Sequence, residues 1–126
     1  MMHDYHRLQV WKKSHAVAVA VHRLTKRIPR GHNAELINQM QRAALSIPSN
    51  IADGSCRPTD RDFARYLGIA LASASELEYH LEFAADTELI DRALSEARRA
   101  DVVEIRKMLV GLIRRMRTRG SGRNGI

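Results

Sequence analysis

The chain has a single cysteine, Cys56, in 126 residues. No intrachain disulfide can form, and a metal centre built from several cysteines is excluded. Aromatic residues make up only 5% of the sequence. The core must therefore be aliphatic and alanine-rich, a composition that favours closely packed helices. Only three prolines and seven glycines interrupt the chain, and Gly31, Gly54, Gly120, Gly122 and Gly125 fall at segment ends or in the tail. The longest apolar run, Ala16 to Val21, is far short of the roughly 20 residues that cross a bilayer, so no membrane span is expected. The opening residues, Met-Met-His-Asp-Tyr-His-Arg, carry no basic patch followed by an apolar stretch. No secretory leader is expected, and a cytoplasmic location is.

Recognisable reaction chemistry is equally scarce. A carboxylate-bridged di-iron site in a helical bundle needs a Glu-x-x-His pair on each of two helices and a Glu on each of the others. No Glu-x-x-His occurs here: Glu76 and His80 are four apart, as are Glu78 and Glu82, and all four belong to one segment. His15 and His22 lie at the edge of an apolar face, where boundary residues are expected rather than ligands. Gly54 stands alone, without the glycine-rich run and Gly-Lys-Ser/Thr that cradle a phosphate. Cys56 has Arg57 beside it, which can lower a thiol pKa, but no histidine lies near it in sequence, so it reads as a surface thiol. No metal, no cofactor, no catalytic residue and no enzyme activity are expected.

What is present is helix. Val10, Trp11, Ser14, Val17, Ala18, Val21, Leu24 and Ile28 share one face of a segment from about Arg7 to Ile28, closed by Pro29-Arg30-Gly31. A second segment runs from about Ala34 to Asp53, with Gly54 as its expected C-terminal cap. Pro48 lies inside it, where proline costs about 3 kcal/mol in a straight helix. A local kink is expected there, with a break into two helices as the alternative. The third segment opens at Thr59, an N-cap followed by Asp62, and keeps Phe63, Tyr66, Leu67, Ala70, Ala74, Leu77, Leu81 and Ala84 on one stripe. The fourth runs from near Asp91 to about Arg117, with Leu94, Val102, Ile105, Leu109, Leu112 and Met116 inward. Short connections make this an all-α protein, an antiparallel up-and-down four-helix bundle over residues 1–118. Residues 119–126, rich in glycine, read as a flexible basic tail.

Two surface features stand out. On the second segment, Gln39, Arg42, Ser46, Asn50 and Asp53 form a polar stripe beside the apolar face of Leu36, Met40, Ala43, Ile47 and Ile51. Such a stripe is read as polar packing at a helix or subunit contact. Arg42, flanking the core, is expected to bond a carboxylate of the third helix, Glu76 or Glu78. The other feature is charge. Residues 1–97 balance twelve Lys and Arg against twelve Asp and Glu, whereas residues 98–126 hold nine against two, so the whole net charge of +7 lies in the last quarter. Arg99, Arg106 and Arg117 are expected together on the side of the fourth helix opposite its core, with Lys107 and Arg114 nearby. That surface attracts polyanions by counterion release; the alternative is a solvated helix face with a basic tail.

The order of these residues resembles a known family, the 23S rRNA intervening-sequence proteins. The similarity begins at Leu8-Gln9-Val10-Trp11-Lys12-Lys13 and continues through Leu24-Thr25-Lys26-Arg27-Ile28-Pro29. It is strongest over Gln39 to Gly54 and resumes at Phe63 to Ala70 and at Ser75-Glu76-Leu77-Glu78. Asp53 stands where the pattern usually has glutamate, and the frequent Gly-Ser is replaced by Ala72-Ser73 or Ala74-Ser75. The resemblance implies a four-helix bundle, often a ring of five subunits, encoded in bacterial genomes, with related bundle proteins binding nucleic acid. It supplies no catalytic residues. The combined expectation is a non-catalytic homo-oligomer, with the pentamer as the form the resemblance implies, binding RNA or DNA non-specifically through Arg99, Arg106, Lys107, Arg114 and Arg117. A protein-interaction scaffold is the alternative.

Overall fold

The computed structural model describes residues 3–124, and the side chains of residues 3–120. Four helices carry the fold: α1 (Gln9–Thr25), α2 (Ala34–Ser55), α3 (Asp60–Asp86) and α4 (Arg92–Asn124). Short 3-10 turns at Tyr5–Arg7 and Gly31–Asn33 precede α1 and α2. No strand occurs among the described residues.

Each helix packs on two neighbours, α1 on α2 and α4, and α3 on α2 and α4. Ser46 faces Ser73, and Gly54 faces Phe63 and Tyr66, so α2 and α3 run antiparallel. Glu78 meets Arg106 and Glu82 meets Arg99, so α3 and α4 do too. The core is aliphatic, as the scarcity of aromatics requires. Ile37, Met40, Ile47, Ile51, Leu67, Leu77, Leu81, Ile105 and Leu109 are fully buried, and Phe63 is the one large ring among them. Each such side chain contributes about 1.5–3 kcal/mol by leaving water. Ala43, Ala44, Ala70, Ala74 and Ala84 are buried between these larger residues and let the helices approach closely.

One helix spans Pro48, as the sequence reading has it, and two helix ends differ from that reading, each for a local reason. α2 runs unbroken through the buried Pro48 to Ser55, so the two-helix alternative falls away. Gly54 is inside that helix with an ordinary negative φ, not a left-handed cap. A β-carbon there would sit 2.8 Å from both Phe63 Cδ1 and Tyr66 Cβ, so glycine is required by close approach to α3. At the other end, α4 stays helical to Asn124, through the segment expected to begin a flexible tail at residue 119. No proline interrupts it, and Arg119 Nε anchors it 3.2 Å from Asp60 Oδ2. Residues 125 and 126 lie outside the described residues.

The turns are specified by their own chemistry. Thr59 caps α3 by accepting from the Asp62 amide at 3.1 Å. α3 ends in a Schellman motif: the Leu89 amide donates to the Ala84 carbonyl and the Glu88 amide to that of Ala85. Glu88 holds the left-handed position that glycine usually takes, with φ 63°.

Candidate nucleic-acid interface

The five cations expected to form one face of α4 divide into two groups. Arg106 Nη1 lies 2.7 Å from Glu78 Oε1, and Arg99 Nη2 lies 3.3 Å from Glu82 Oε1. Both arginines are half-buried on the seam with α3 rather than opposite the core. The cause is spacing. Glu78 and Glu82 are one turn apart on α3, Arg99 and Arg106 two turns apart on α4, and the antiparallel packing sets them side by side. Charge-assisted bonds of this kind occupy the guanidinium groups that phosphates would need.

Lys107, Arg114 and Arg117 are exposed, with no carboxylate within 4 Å. Arg117 lines a shallow groove of about 520 Å³ between the start of α3 and the end of α4, together with Arg61, Asp62, Arg65 and Gly120. Arg61 and Arg65 are likewise exposed and without an ion pair. Arg114 is one turn back along α4. On the adjoining side, the Arg57 and Arg65 guanidinium groups lie 4.5 and 4.9 Å from the centroid of the Tyr66 ring. Such stacking holds a planar cation in place while leaving its charge available. The result is a cluster of arginines at one end of the bundle, drawn from helices that sequence alone does not bring together. Arg61 and Arg65 share one side of α3 by their four-residue spacing, a signal legible in the sequence, whereas Arg57 lies in the turn before α3 and joins them only through the fold.

The polar stripe of α2 also divides. The Ser46 and Ser73 hydroxyls are 2.8 Å apart, and Asn50 Nδ2 donates to the Ser46 carbonyl at 2.8 Å and to its hydroxyl at 2.9 Å. These three residues form a polar contact between α2 and α3. Gln39 bonds within its own helix to Glu35. Asp53 is exposed. The expected bond from Arg42 to Glu76 or Glu78 is absent: Arg42 is exposed, and Glu78 accepts from Arg106 instead. Helical spacing places Arg42 on the outer side of α2, away from the seam where Glu78 lies. Glu76 is exposed one turn before His80. His80 is buried, its Nδ1 has no hydrogen-bond partner, and desolvation holds its pKa below 6.5 against the opposing pull of Glu76.

Among the described residues, no three His, Cys, Asp or Glu side chains converge as metal ligands, and no helix is long and apolar enough to cross a membrane. Cys56 is free and exposed. The fold thus defines a class, the all-α four-helix proteins, here with exposed cations on its surface. The chain belongs to the 23S rRNA-intervening sequence protein family, whose sequence model matches residues 6–111. Among solved structures it is similar to a protein of unknown function from the S23 ribosomal protein family of Bacteroides thetaiotaomicron. The two share 34% identity with a TM-score of 0.75, over 82% of this chain and 97% of that one. No curated protein matches.

Proposed function

We propose that this is a non-catalytic bundle that assembles with copies of itself and binds RNA or DNA through the arginine cluster at the α3/α4 end. The observation that carries this reading is the set Arg61, Arg65, Arg114 and Arg117, exposed and without a carboxylate partner. Arg99 and Arg106, bonded to Glu82 and Glu78, hold α4 against α3, and Lys107 adds charge further along the helix. At this end the Tyr66 ring is covered by Arg57 and Arg65, and the Phe63 ring is buried. Binding therefore rests on phosphates and carries little sequence preference. Assembly repeats the cluster and multiplies its effective concentration for one long strand.

The test is the salt dependence of affinity for a short labelled single-stranded RNA, read by fluorescence anisotropy. Four phosphate contacts give a slope of log K against log salt of about −3. An affinity that does not fall with salt sinks the reading. The second reading, a protein-interaction scaffold, draws on the exposed apolar side chains Leu45, Ile69, Tyr79 and Phe83. Recovery of a partner protein by pull-down, with no nuclease-sensitive material, favours it.

A further inference from the structure

The arginine cluster meets phosphates, which paired and unpaired strands both offer. A feature that tells the two apart lies at the start of the chain. Tyr5, His6, Trp11 and His15 form one continuous group of rings. His15 lies flat on Trp11, centroids 4.9 Å apart and planes 7° from parallel. Tyr5 and His6 stack at 4.1 Å, and both meet Trp11 edge-on, at 4.8 and 5.2 Å.

Local structure holds these rings in place. Trp11 and His15 are one turn apart on α1, so helical spacing sets one ring over the other, and Trp11 also packs on the core. Tyr5 and His6 belong to the 3-10 turn before α1. Asp4 Oδ1 accepts from the His6 amide at 3.1 Å and lies 3.0 Å from His6 Nδ1, which orients that ring. Tyr5 and Trp11 are half-buried inside the group, whereas His6 and His15 are exposed on its outside.

The rings and the arginines share one end of the bundle. The His3 amide donates to the Ser55 carbonyl at 2.8 Å, and the His3 ring is 5.1 Å from that of Phe63. His3 Nε2 is 3.9 Å from Asp60 Oδ1, on the carboxylate that Arg119 also meets. The described chain therefore starts where α2 stops and α3 begins, beside Arg57, Arg61 and Arg65. Lys12, next to Trp11, is exposed and has no carboxylate within 4 Å. Two helices side by side measure about 20–25 Å across. Twelve stacked nucleotides, at about 3.4 Å each, cover that width.

We propose that the ring group is a base-stacking platform and that the strand this protein binds is unpaired. The arginines hold its phosphates, and its bases stack on the outer faces of His6 and His15. This rests on the nucleic-acid reading above and names its substrate class. A duplex keeps its bases stacked on one another and closed to such rings. Every base has a π-face, so the platform adds affinity without adding sequence preference. Packing of the N-terminal turn is the competing account. It explains the half-buried Tyr5 and Trp11, but it does not require the His6 side chain, 63% exposed, to be oriented by Asp4.

The test uses the full chain and fluorescence anisotropy with three labelled DNA probes: a strand of twelve thymidines, an abasic strand with the same phosphates, and the thymidine strand paired with its complement. Wild type is expected to bind the thymidine strand about tenfold tighter than the abasic one, the worth of one stacked base. His6→Ala/His15→Ala is expected to bind both as wild type binds the abasic strand, with an unchanged salt slope and intact helices by circular dichroism. His6→Phe/His15→Phe keeps the rings and is expected to keep the preference. Duplex affinity is expected to be equal in wild type and both variants. Thymidine and abasic strands bound equally by wild type, with affinity falling with salt, overturn the platform and leave the phosphate reading standing. An alanine variant that keeps the full preference also overturns the platform. No salt-dependent binding of any probe removes the phosphate reading and this inference with it.

Discussion

Substituting Gly54 by alanine tests the packing of α2 on α3. The added methyl would lie 2.8 Å from Phe63 Cδ1, 2.8 Å from Tyr66 Cβ and 3.3 Å from Phe63 Cε1, where carbon–carbon contacts are most favourable at about 3.5–4.0 Å. Phe63 is 1% exposed, enclosed in the core. Tyr66 Cβ is fixed to the α3 backbone, so no rotamer change removes it, and the helices themselves must separate. Overpacking of this kind costs about 1–3 kcal/mol. Alanine in a helix returns roughly 0.5–1 kcal/mol relative to glycine. The net expectation is a loss of about 1–2 kcal/mol, or several degrees in melting temperature for a domain of this size. Gly68 and Gly111 are the controls. Both are in helices, and a β-carbon at either has nothing within 4 Å. Alanine there is expected to stabilise by about 0.5–1 kcal/mol. Thermal and urea melts followed by helical circular dichroism, at matched protein concentration, measure all three. Gly54→Ala as stable as wild type would refute the reasoning.

Two further outcomes are expected. Glu88→Gly relieves the left-handed backbone at φ 63° and should stabilise by up to about 1 kcal/mol; a urea midpoint that does not rise removes that strain. His80 sets a pH dependence. Burial lowers its pKa below 6.5, so the unfolded chain takes up a proton that the folded chain refuses. Stability is then full above about pH 6.5 and falls as pH drops below it. The Asp4 carboxyl, whose pKa is lowered below 3.8 by the hydrogen bonds from His6, acts only in a separate and more acidic window. Urea midpoints between pH 7.5 and 5.5 should decline for wild type and stay flatter for His80→Leu, and equal declines in both would contradict the assignment.

Much of the fold was legible because helical periodicity reports each helix's own inward face. Val10, Val17, Val21, Ile47, Leu77 and Leu109 were read as inward and are buried. Thr59 was legible as a cap because its hydroxyl serves an amide three residues away. What periodicity does not carry is the identity of the neighbour. Arg99 and Arg106 look like free surface charge until α3 supplies Glu82 and Glu78. Gly54 looks like a stop signal until Phe63 and Tyr66 are beside it. The arginine cluster escaped for the same reason, since Arg61 and Arg117 meet only through the antiparallel packing of α3 and α4.

Arginines that bind phosphate and arginines that hold the bundle together respond differently to substitution, and this separates them directly. RNA affinity and its salt slope are to be measured for Arg61→Gln/Arg65→Gln/Arg114→Gln/Arg117→Gln beside Arg99→Gln/Arg106→Gln. The first variant is expected to keep its fold, lose most of its affinity and flatten its salt slope by about three. The second is expected to bind RNA nearly as wild type does while melting earlier. Unchanged RNA binding in the first variant would contradict the account.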